Sequence, residues 1–535
     1  MRERRKLNAF NLSHEHKLTC EMGYLIPNLL MEVVPGDTFD IKSSIFARAE
    51  AMLAPVMHRY DVIQHYFYWP KRCSMPKYWE DYYTGGEDGT DNTTWPYMVS
   101  PATGYARGSL GDYLGLPCDT RVDTSANSTE TNQIQGAFEH SAVPFRMYSE
   151  IFNYWYRNEN LQSKLVWSDQ PGLDTTTNTT LQKKNWSKDY FTGALDRTER
   201  GSPTYLPFTD SDVPVIGNGK TLGLTDGTTN VGMAINNSSA QPHGIFTNTN
   251  YGTAVGTTSA GTNLYSGKTM GITTDPEKSG LIAKTSNVVS LLYADLQKSA
   301  RMALFKRRLE RAGSRLVEFT SEFFGVRVPD DRICKPVFLG GFRCPLMITP
   351  VEQTSSSDSV SPQGNLAGRG TSSGAGKKIR KSFVEEGLIM GIMCIMPKAE
   401  YSQGTHKLWL RKTRWDHFVP MFDVAGDQEI LNQEIYTQGT SADGQSFGYK
   451  PAFEELRRIP SSTHGEMRKG GSLMFWTGGR VFDSLPQLNS QFVTADPSNR
   501  IFAVTDAGVH HFTVEAYHEV RALRFLDKYG NPAII

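Results

Sequence analysis

Val34-Pro35-Gly36-Asp37-Thr38 is the feature that most narrows what this chain can fold into. Proline beside glycine forces a turn, and directly after it Phe39, Ile41, Ser43, Ile45 and Ala47 occupy every second position. A period of two launched by a turn is the pattern of a half-buried strand. Residues Asp61 to Tyr68, rich in β-branched and aromatic types, read as a second strand, closed by Pro70, which has no amide hydrogen for a ladder. Far along the chain, Phe512, Val514, Ala516, His518, Val520 and Ala522 alternate with His511, Thr513, Glu515, Tyr517, Glu519 and Arg521. That strand has one largely apolar and one polar face. Strands at both ends of a 535-residue chain imply very non-local pairing of the Greek-key kind. An antiparallel sandwich suits this better than a nucleotide-binding βαβ unit.

Between these ends, Cys344 to Val351, Ser382 to Met396, Thr405 to Lys412 and Gly471 to Asp483 read as strands separated by turn-forming residues. One region reads as helix, residues 288–319, where Leu292, Leu296, Ala300, Ala303 and Leu304 recur at helical spacing and Gly313 stops or kinks it. Its Arg301, Lys306, Arg307, Arg308 and Arg311 lie mostly off the apolar stripe. Two readings stand for them: phosphate contacts, or a solvated helix face. Abundant Gly, Pro, Thr, Ser and Asn point to many turns, and no linker divides the chain into autonomous halves, so one elaborated domain is expected. Lys plus Arg equals Asp plus Glu at 56 each, so self-association meets little net repulsion.

Six cysteines without CxxC spacing read as free thiols of a reducing compartment. The basic start Met1 to Lys6 is not followed by the apolar core of a signal peptide, and the longest apolar run, Leu388 to Met396, is about half of a membrane span. The reading is a soluble intracellular product without membrane insertion.

Several motifs imitate enzyme sites. Gly370-Thr371-Ser372-Ser373-Gly374 satisfies GxSxG, but a nucleophile elbow needs a strand before the serine and a helix after it, whereas this stretch reads as part of a Ser/Gly-rich loop from Ser355 to Gly376. Gly374-Ala375-Gly376-Lys377-Lys378 lacks both the leading glycine and the metal-binding hydroxyl of a phosphate loop. His14-Glu15-His16 and His510-His511 lack the third and fourth ligands zinc requires. Glu385-Glu386, as strand neighbours, would point to opposite faces and could not flank one glycosidic bond. No catalytic, cofactor or metal residue is assigned, and no cofactor is expected.

Other blocks carry a resemblance. Asn11-Leu12-Ser13-His14, Lys17-Leu18-Thr19-Cys20, Glu32-Val33-Val34-Pro35-Gly36-Asp37-Thr38 and His65-Tyr66-Phe67 open the series. Gly108-Ser109-Leu110-Gly111-Asp112-Tyr113-Leu114-Gly115-Leu116-Pro117, Pro144-Phe145-Arg146, Ile151-Phe152-Asn153-Tyr154-Trp155-Tyr156-Arg157-Asn158-Glu159-Asn160 and Lys188-Asp189-Tyr190-Phe191-Thr192 continue it. Phe324-Gly325-Val326, Pro329-Asp330, Leu339-Gly340-Gly341, Gln353-Thr354-Ser355 and Pro362-Gln363-Gly364-Asn365-Leu366-Ala367-Gly368 complete it. In this order the blocks resemble the major capsid proteins of the Microviridae, most nearly the gokushovirus-like branch. Two stretches depart from the family pattern: Glu385-Glu386-Gly387 and Arg332-Ile333-Cys334-Lys335-Pro336-Val337.

The resemblance implies an all-β fold, an eight-stranded antiparallel jelly roll with long loop insertions and a few helices, its first strand near Thr38 and its last near His511. It implies a structural protein, not an enzyme: a bacteriophage major capsid protein, as a homo-oligomer of sixty copies in a T=1 icosahedral shell around circular single-stranded DNA, assembled in the bacterial cytoplasm. The partners implied are a small basic DNA-packaging protein, a minor capsid or pilot protein, an internal scaffolding protein and a host cell-surface receptor. A monomeric glycan-binding or glycan-cleaving β-sandwich is the alternative.

Within that frame the chain divides into an amino-terminal arm, 1–22, a variable surface insertion, 196–285, and the helical stretch 288–319. From Gly217 to Leu264 more than half the residues are Gly, Asn, Thr or Ser, too few large apolar groups for a core, so the stretch is an exposed excursion. Asn218, Thr228, Asn230, Asn236, Asn237, Asn248, Asn250 and Tyr251 are its candidate receptor contacts; a tolerated loop without function is the other reading. A genome of several thousand nucleotides in such a shell sets on the order of a hundred phosphates against each neutral subunit. Arg2, Arg4, Arg5 and Lys6 are the candidate nucleic-acid contacts, a short basic arm reaching phosphates without fixed structure. Tyr66, Phe67, Tyr68 and Trp69 either stack on bases or belong to the core.

Overall fold

A computed structural model describes residues 7–121, 130–201, 215–217, 222–225, 230–233, 271–272, 281–283, 293–313, 315–354, 363–422, 426–506, 508–526 and 528. The chain packs as two units, residues 1–198 with 309–535, and residues 199–308.

The larger unit is built on ten strands: β1 Asn8–Asn11, β2 His14–Cys20, β3 Ile26–Val33, β4 Thr38–Ala49, β5 Tyr60–Pro70, β6 Val337–Glu352, β7 Leu366–Ala375, β8 Ile379–Ser382, β9 Gly387–Pro397 and β10 Phe512–Arg524. They run in the order β1-β10-β4-β7-β6-β5-β9-β3, with β8 also on β4 and β2 also on β10. All of these pairings are antiparallel. Residues 8–20, at the amino end, pair with the last strand.

The turn before β4 forms as its residues dictate. Gly36 takes φ +90°, and the Asp37 carboxylate accepts the Val34 amide at 2.9 Å. Along β4, Phe39, Ile41, Ser43, Ile45, Ala47 and Ala49 are buried and the residues between them are not. Along β10, Phe512, Val514, Ala516, His518, Val520 and Ala522 do the same. The register sets Phe512 opposite Ala49 and Leu523 opposite Thr38, so the first long strand and the last lie side by side.

Strand β6 changes neighbour along its length. Residues Val337 to Leu346 pair with β5, and Met347 to Glu352 pair with β7 on the other edge. One long strand thereby joins the group around β10, β4 and β7 to the group β5, β9 and β3, and the apolar faces of the two groups meet. Ile45, Ala47, Phe512 and Val514 pack with Ile26, Val62, Met393 and Ile395; further along, Phe39, Ile41 and Val520 pack with Leu29, Tyr66, Tyr68 and Ile389. This is the all-β sandwich expected of a capsid jelly roll.

Strands β5 and β9 are buried on both faces. Ile63, Phe67 and Trp69, with Leu388, Met390, Ile392 and Cys394, pack outward against helix α1, Val143–Ile151. A strand covered on both sides reads as a continuous apolar run, as β9 does. The whole aromatic stretch Tyr66 to Trp69 is core. Helix α1 is tied in by Arg146, whose guanidinium lies 2.8 Å from Asp174 with both side chains fully buried and donates to the Ser74 and Gln170 carbonyls.

Helix α2 spans Tyr293–Ala312 and α3 spans Leu316–Phe324; between them Gly313, at φ +107°, ends α2. In the smaller unit, Leu222–Thr225 pairs with Asn230–Met233 and Gly271–Ile272, and Val215–Gly217 pairs with Leu281–Ala283.

Four local expectations are corrected. Thr405 to Lys412 is not a strand: Lys407–Leu410 is a 3-10 turn whose Leu408 amide donates to the His406 ring at 3.1 Å. Gly471 to Asp483 holds a second 3-10 turn, Met474–Trp476, where Glu466 takes the Ser472 amide and no ladder forms. The Ser/Gly-rich loop is, from Leu366 to Ala375, strand β7. Its glycines answer to crowding, because a Cβ on Gly374 would lie 2.0 Å from Cys344 Sγ and one on Gly368 2.2 Å from the Ala54 carbonyl oxygen. Ser382 to Met396 is two strands, β8 and β9, and Glu385-Glu386 lies in the turn between them.

Candidate functional surface

The basic residues Arg2, Arg4, Arg5 and Lys6 lie outside the described residues, as do Asn218, Thr228, Asn236, Asn237, Asn248, Asn250 and Tyr251 of the insertion. Asn230 opens the short strand Asn230–Met233, opposite Thr225. Of the cations on α2, Arg307 pairs with Glu199 at 3.5 Å, and Arg311 pairs with Asp427 at 2.5 Å.

The residues that imitate enzyme sites have structural employment. Ser372 of GxSxG is buried inside β7 and donates to the Pro345 carbonyl at 3.0 Å, so it presents no nucleophile. Glu385 holds Arg72 at 3.1 Å, while Glu386 takes Lys71 and the Tyr83 hydroxyl. The His511 ring lies between Glu21 and the Val504 carbonyl, and His510 meets the Thr19 hydroxyl at 2.8 Å. Among the described residues no group of three or more His, Cys, Asp or Glu converges as a metal site, and no helix is long and apolar enough to cross a membrane.

What the larger unit does present is apolar surface. Two short elements, Asp427–Leu431 and Ser446–Pro451, pair over a core of Tyr190, Phe191, Tyr401, Ile430, Ile435, Phe447 and Phe492. The segment from Thr405 to Phe422 is held against them. Lys407 Nζ reaches Glu434 at 3.0 Å and Arg411 reaches Glu455 at 3.0 Å. Asp416 caps its own turn by accepting the Lys412 and Thr413 amides at 3.0 and 2.8 Å. From this frame Trp409 stands 78 % exposed, Met421 75 % and Trp415 63 %. Isolated exposed apolar residues are ordinary, whereas a continuous patch of large ones marks an interaction site. Pattern reading missed this surface, because Leu408 and Leu410 mimic strand alternation; the density of large apolar groups in a segment with so many charges was the available signal.

The arrangement therefore offers a rigid sandwich, no catalytic constellation among the described residues and a large unsatisfied surface. Residues 2–534 match the family described as Capsid protein (F protein). This chain belongs to that family. It is 31 % identical to Capsid protein VP1 of Chlamydia phage 1 and 32 % identical to Capsid protein VP1 of Bdellovibrio phage phiMH2K, in each case over 98 % of this chain and 95 % of the relative. It is 28 % identical to Capsid protein VP1 of Spiroplasma virus 4, over 92 % of this chain and 88 % of the relative. The F-family protein is a structural component of a phage virion and not an enzyme. Its rigid sandwich and its outward apolar side chains are what a multi-copy shell needs from each subunit.

Proposed function

We propose that sixty copies of this capsid protein close a T=1 icosahedral shell around a circular single-stranded DNA genome, with the insertion 196–285 carrying host attachment. The observation that carries the reading is kinship to capsid proteins along residues 2–534 of a 535-residue chain. Kinship of that extent covers the sandwich and its loops together.

Balanced charge, 56 cations against 56 anions, leaves the genome's phosphates to be neutralised by others. A small basic packaging protein, metal ions or polyamines fill that role, with Arg2, Arg4, Arg5 and Lys6 as the chain's own contribution. Scaffolding and pilot proteins complete the partner set, and assembly takes place in the bacterial cytoplasm.

Size-exclusion chromatography and electron microscopy of the purified protein test the shell. A megadalton icosahedral particle is expected, and a stable monomer under every assembly condition overturns the reading in favour of a solitary sugar-binding sandwich. Deleting Gly217 to Leu264 is expected to leave particles intact while adsorption to host cells fails. Unchanged adsorption removes the attachment role.

A further inference from the structure

We propose that the segment Thr405–Phe422, together with Leu456, is a subunit contact that docks on a second copy of this chain; the inference rests on the shell reading above and names a surface that builds it. Six side chains make the patch: Leu408 at 56 % exposure, Trp409, Trp415, Phe418 at 48 %, Met421 and Leu456 at 58 %.

Ring contacts and an ion pair hold the segment in place. Phe418 packs edge-on against Phe453, with ring centres 5.3 Å apart, and Trp415 packs on Phe422 at 4.8 Å. Arg411 is anchored to Glu455, the neighbour of Leu456, by a largely buried ion pair. The exposure is therefore imposed by the fold. A surface already fixed in shape loses little conformational entropy on docking, which favours association. Three aromatics, a methionine and two leucines supply several hundred Å², a large part of the roughly 800 Å² each partner contributes to a stable contact. Trp, Phe, Met and Arg are the types enriched at the centres of protein contacts.

Cations interleaved with tryptophans also characterise single-strand DNA sites, so the competing occupant is the genome. The geometry favours protein. Of the four cations from Lys407 to Arg414, Lys407 and Arg411 are neutralised within the chain by Glu434 and Glu455. Arg414 lies over the Trp415 ring at 5.8 Å, covering a face on which a base would stack. The charge left for phosphates is small, while the apolar area is large.

Two measurements decide it. In the wild-type protein, hydroxyl-radical footprinting of Trp409 and Trp415 is expected to show at least tenfold protection in particles relative to unassembled subunits. Trp409→Glu, at a position 78 % exposed, is expected to leave the thermal unfolding of the subunit unchanged and to reduce particle yield at least tenfold. Equal reactivity of both tryptophans in particles and subunits overturns the proposal. So does a Trp409→Glu variant that forms normal shells, and if those shells contain less DNA the segment is assigned to the genome. Should the variant fail to fold, the wild-type footprint alone decides. If the wild-type chain forms no particles, the shell reading itself falls, and that outcome is visible before any variant is made.

Discussion

Ser43 and His518 meet 475 positions apart in sequence, with the Ser43 hydroxyl 2.7 Å from His518 Nδ1 in the interior of the sandwich. Each is the one polar residue in an otherwise apolar stripe, on β4 and β10, and the register sets them directly opposite. The other ring nitrogen, Nε2, meets the Asn28 carbonyl at 2.9 Å, and the Asn28 amide exchanges two hydrogen bonds with Gln64 at 2.8 and 2.9 Å. A buried polar chain thus crosses the core with its members satisfied by one another.

Acid should loosen this core over a defined window. Burial pushes His518 down to about 4, and burial likewise pushes His65 down to about 4. In the unfolded chain both rings titrate near 6.5, so between those values the unfolded state binds more protons. Stability is complete above about pH 6.5, falls as pH drops toward 4, and each ring accounts for up to about 3 kcal/mol. His518→Gln, which keeps hydrogen-bonding capacity and removes the titration, should flatten the fall in melting temperature between pH 7 and 4. An identical slope in variant and wild type rules out His518 as a sensor.

Arg146 and Asp174 form a pair whose side chains are wholly buried, with two guanidinium nitrogens also serving the Ser74 and Gln170 carbonyls. Removing one partner strands the other charge and two carbonyls, a loss of about 3–5 kcal/mol. Arg146→Met should therefore lower the melting temperature sharply or abolish soluble expression. Asp174→Asn should be milder, since an amide still accepts from Arg146. A melting temperature for Arg146→Met within a degree of wild type contradicts this account.

Gly374 tests why a strand can be made of serine and glycine. Gly374→Ala places a methyl 2.0 Å from Cys344 Sγ, an overpacking expected to cost about 1–3 kcal/mol. Cys344→Ala removes the obstructing sulfur and should recover part of that loss in the double variant, measured by denaturant unfolding. Gly444→Ala, where no atom lies within 4 Å, should be close to neutral. Additive losses at 374 and 344 would refute the crowding explanation.

Cys334 should be the first thiol to react. A hydrogen bond from Cys73, with the Arg72 guanidinium at 3.1 Å, pulls its thiol down to about 6. Burial pushes Cys118, the other partly exposed cysteine, up to about 12. Iodoacetamide at pH 7 followed by peptide mass spectrometry should find Cys334 labelled well ahead of Cys118, with a rate that levels off above pH 7. Arg72→Met should move that profile upward. Equal labelling of the two thiols would contradict the assignment.

How much of this was legible depended on which partner a residue packs against. Strands β4 and β10 were readable because each buries one face, so burial writes its period of two directly into the sequence. The break at Gly313 was readable because a left-handed backbone favours glycine. Strand β7 was misread as a loop because its serines and glycines were chosen by the closeness of Cys344 and Ala54, a constraint no local pattern carries. Leu408 and Leu410 were misread as strand because apolar residues two positions apart leave the same local mark in a 3-10 turn as in a strand. The polar positions Ser43 and His518 were visible, but their meeting required a register.

The placement of β10 between β4 and the two amino-terminal strands also fixes an order of events at the ribosome. Strand β4 is made long before residues 512–524, and until they follow, its neighbour on that side does not exist. A chain that stops before residue 512 therefore lacks the strand on which β1, β2 and one edge of β4 pair, and is left with those edges open. The topology thus makes closure of the sandwich depend on residues 512–524, however early the strands around them are made.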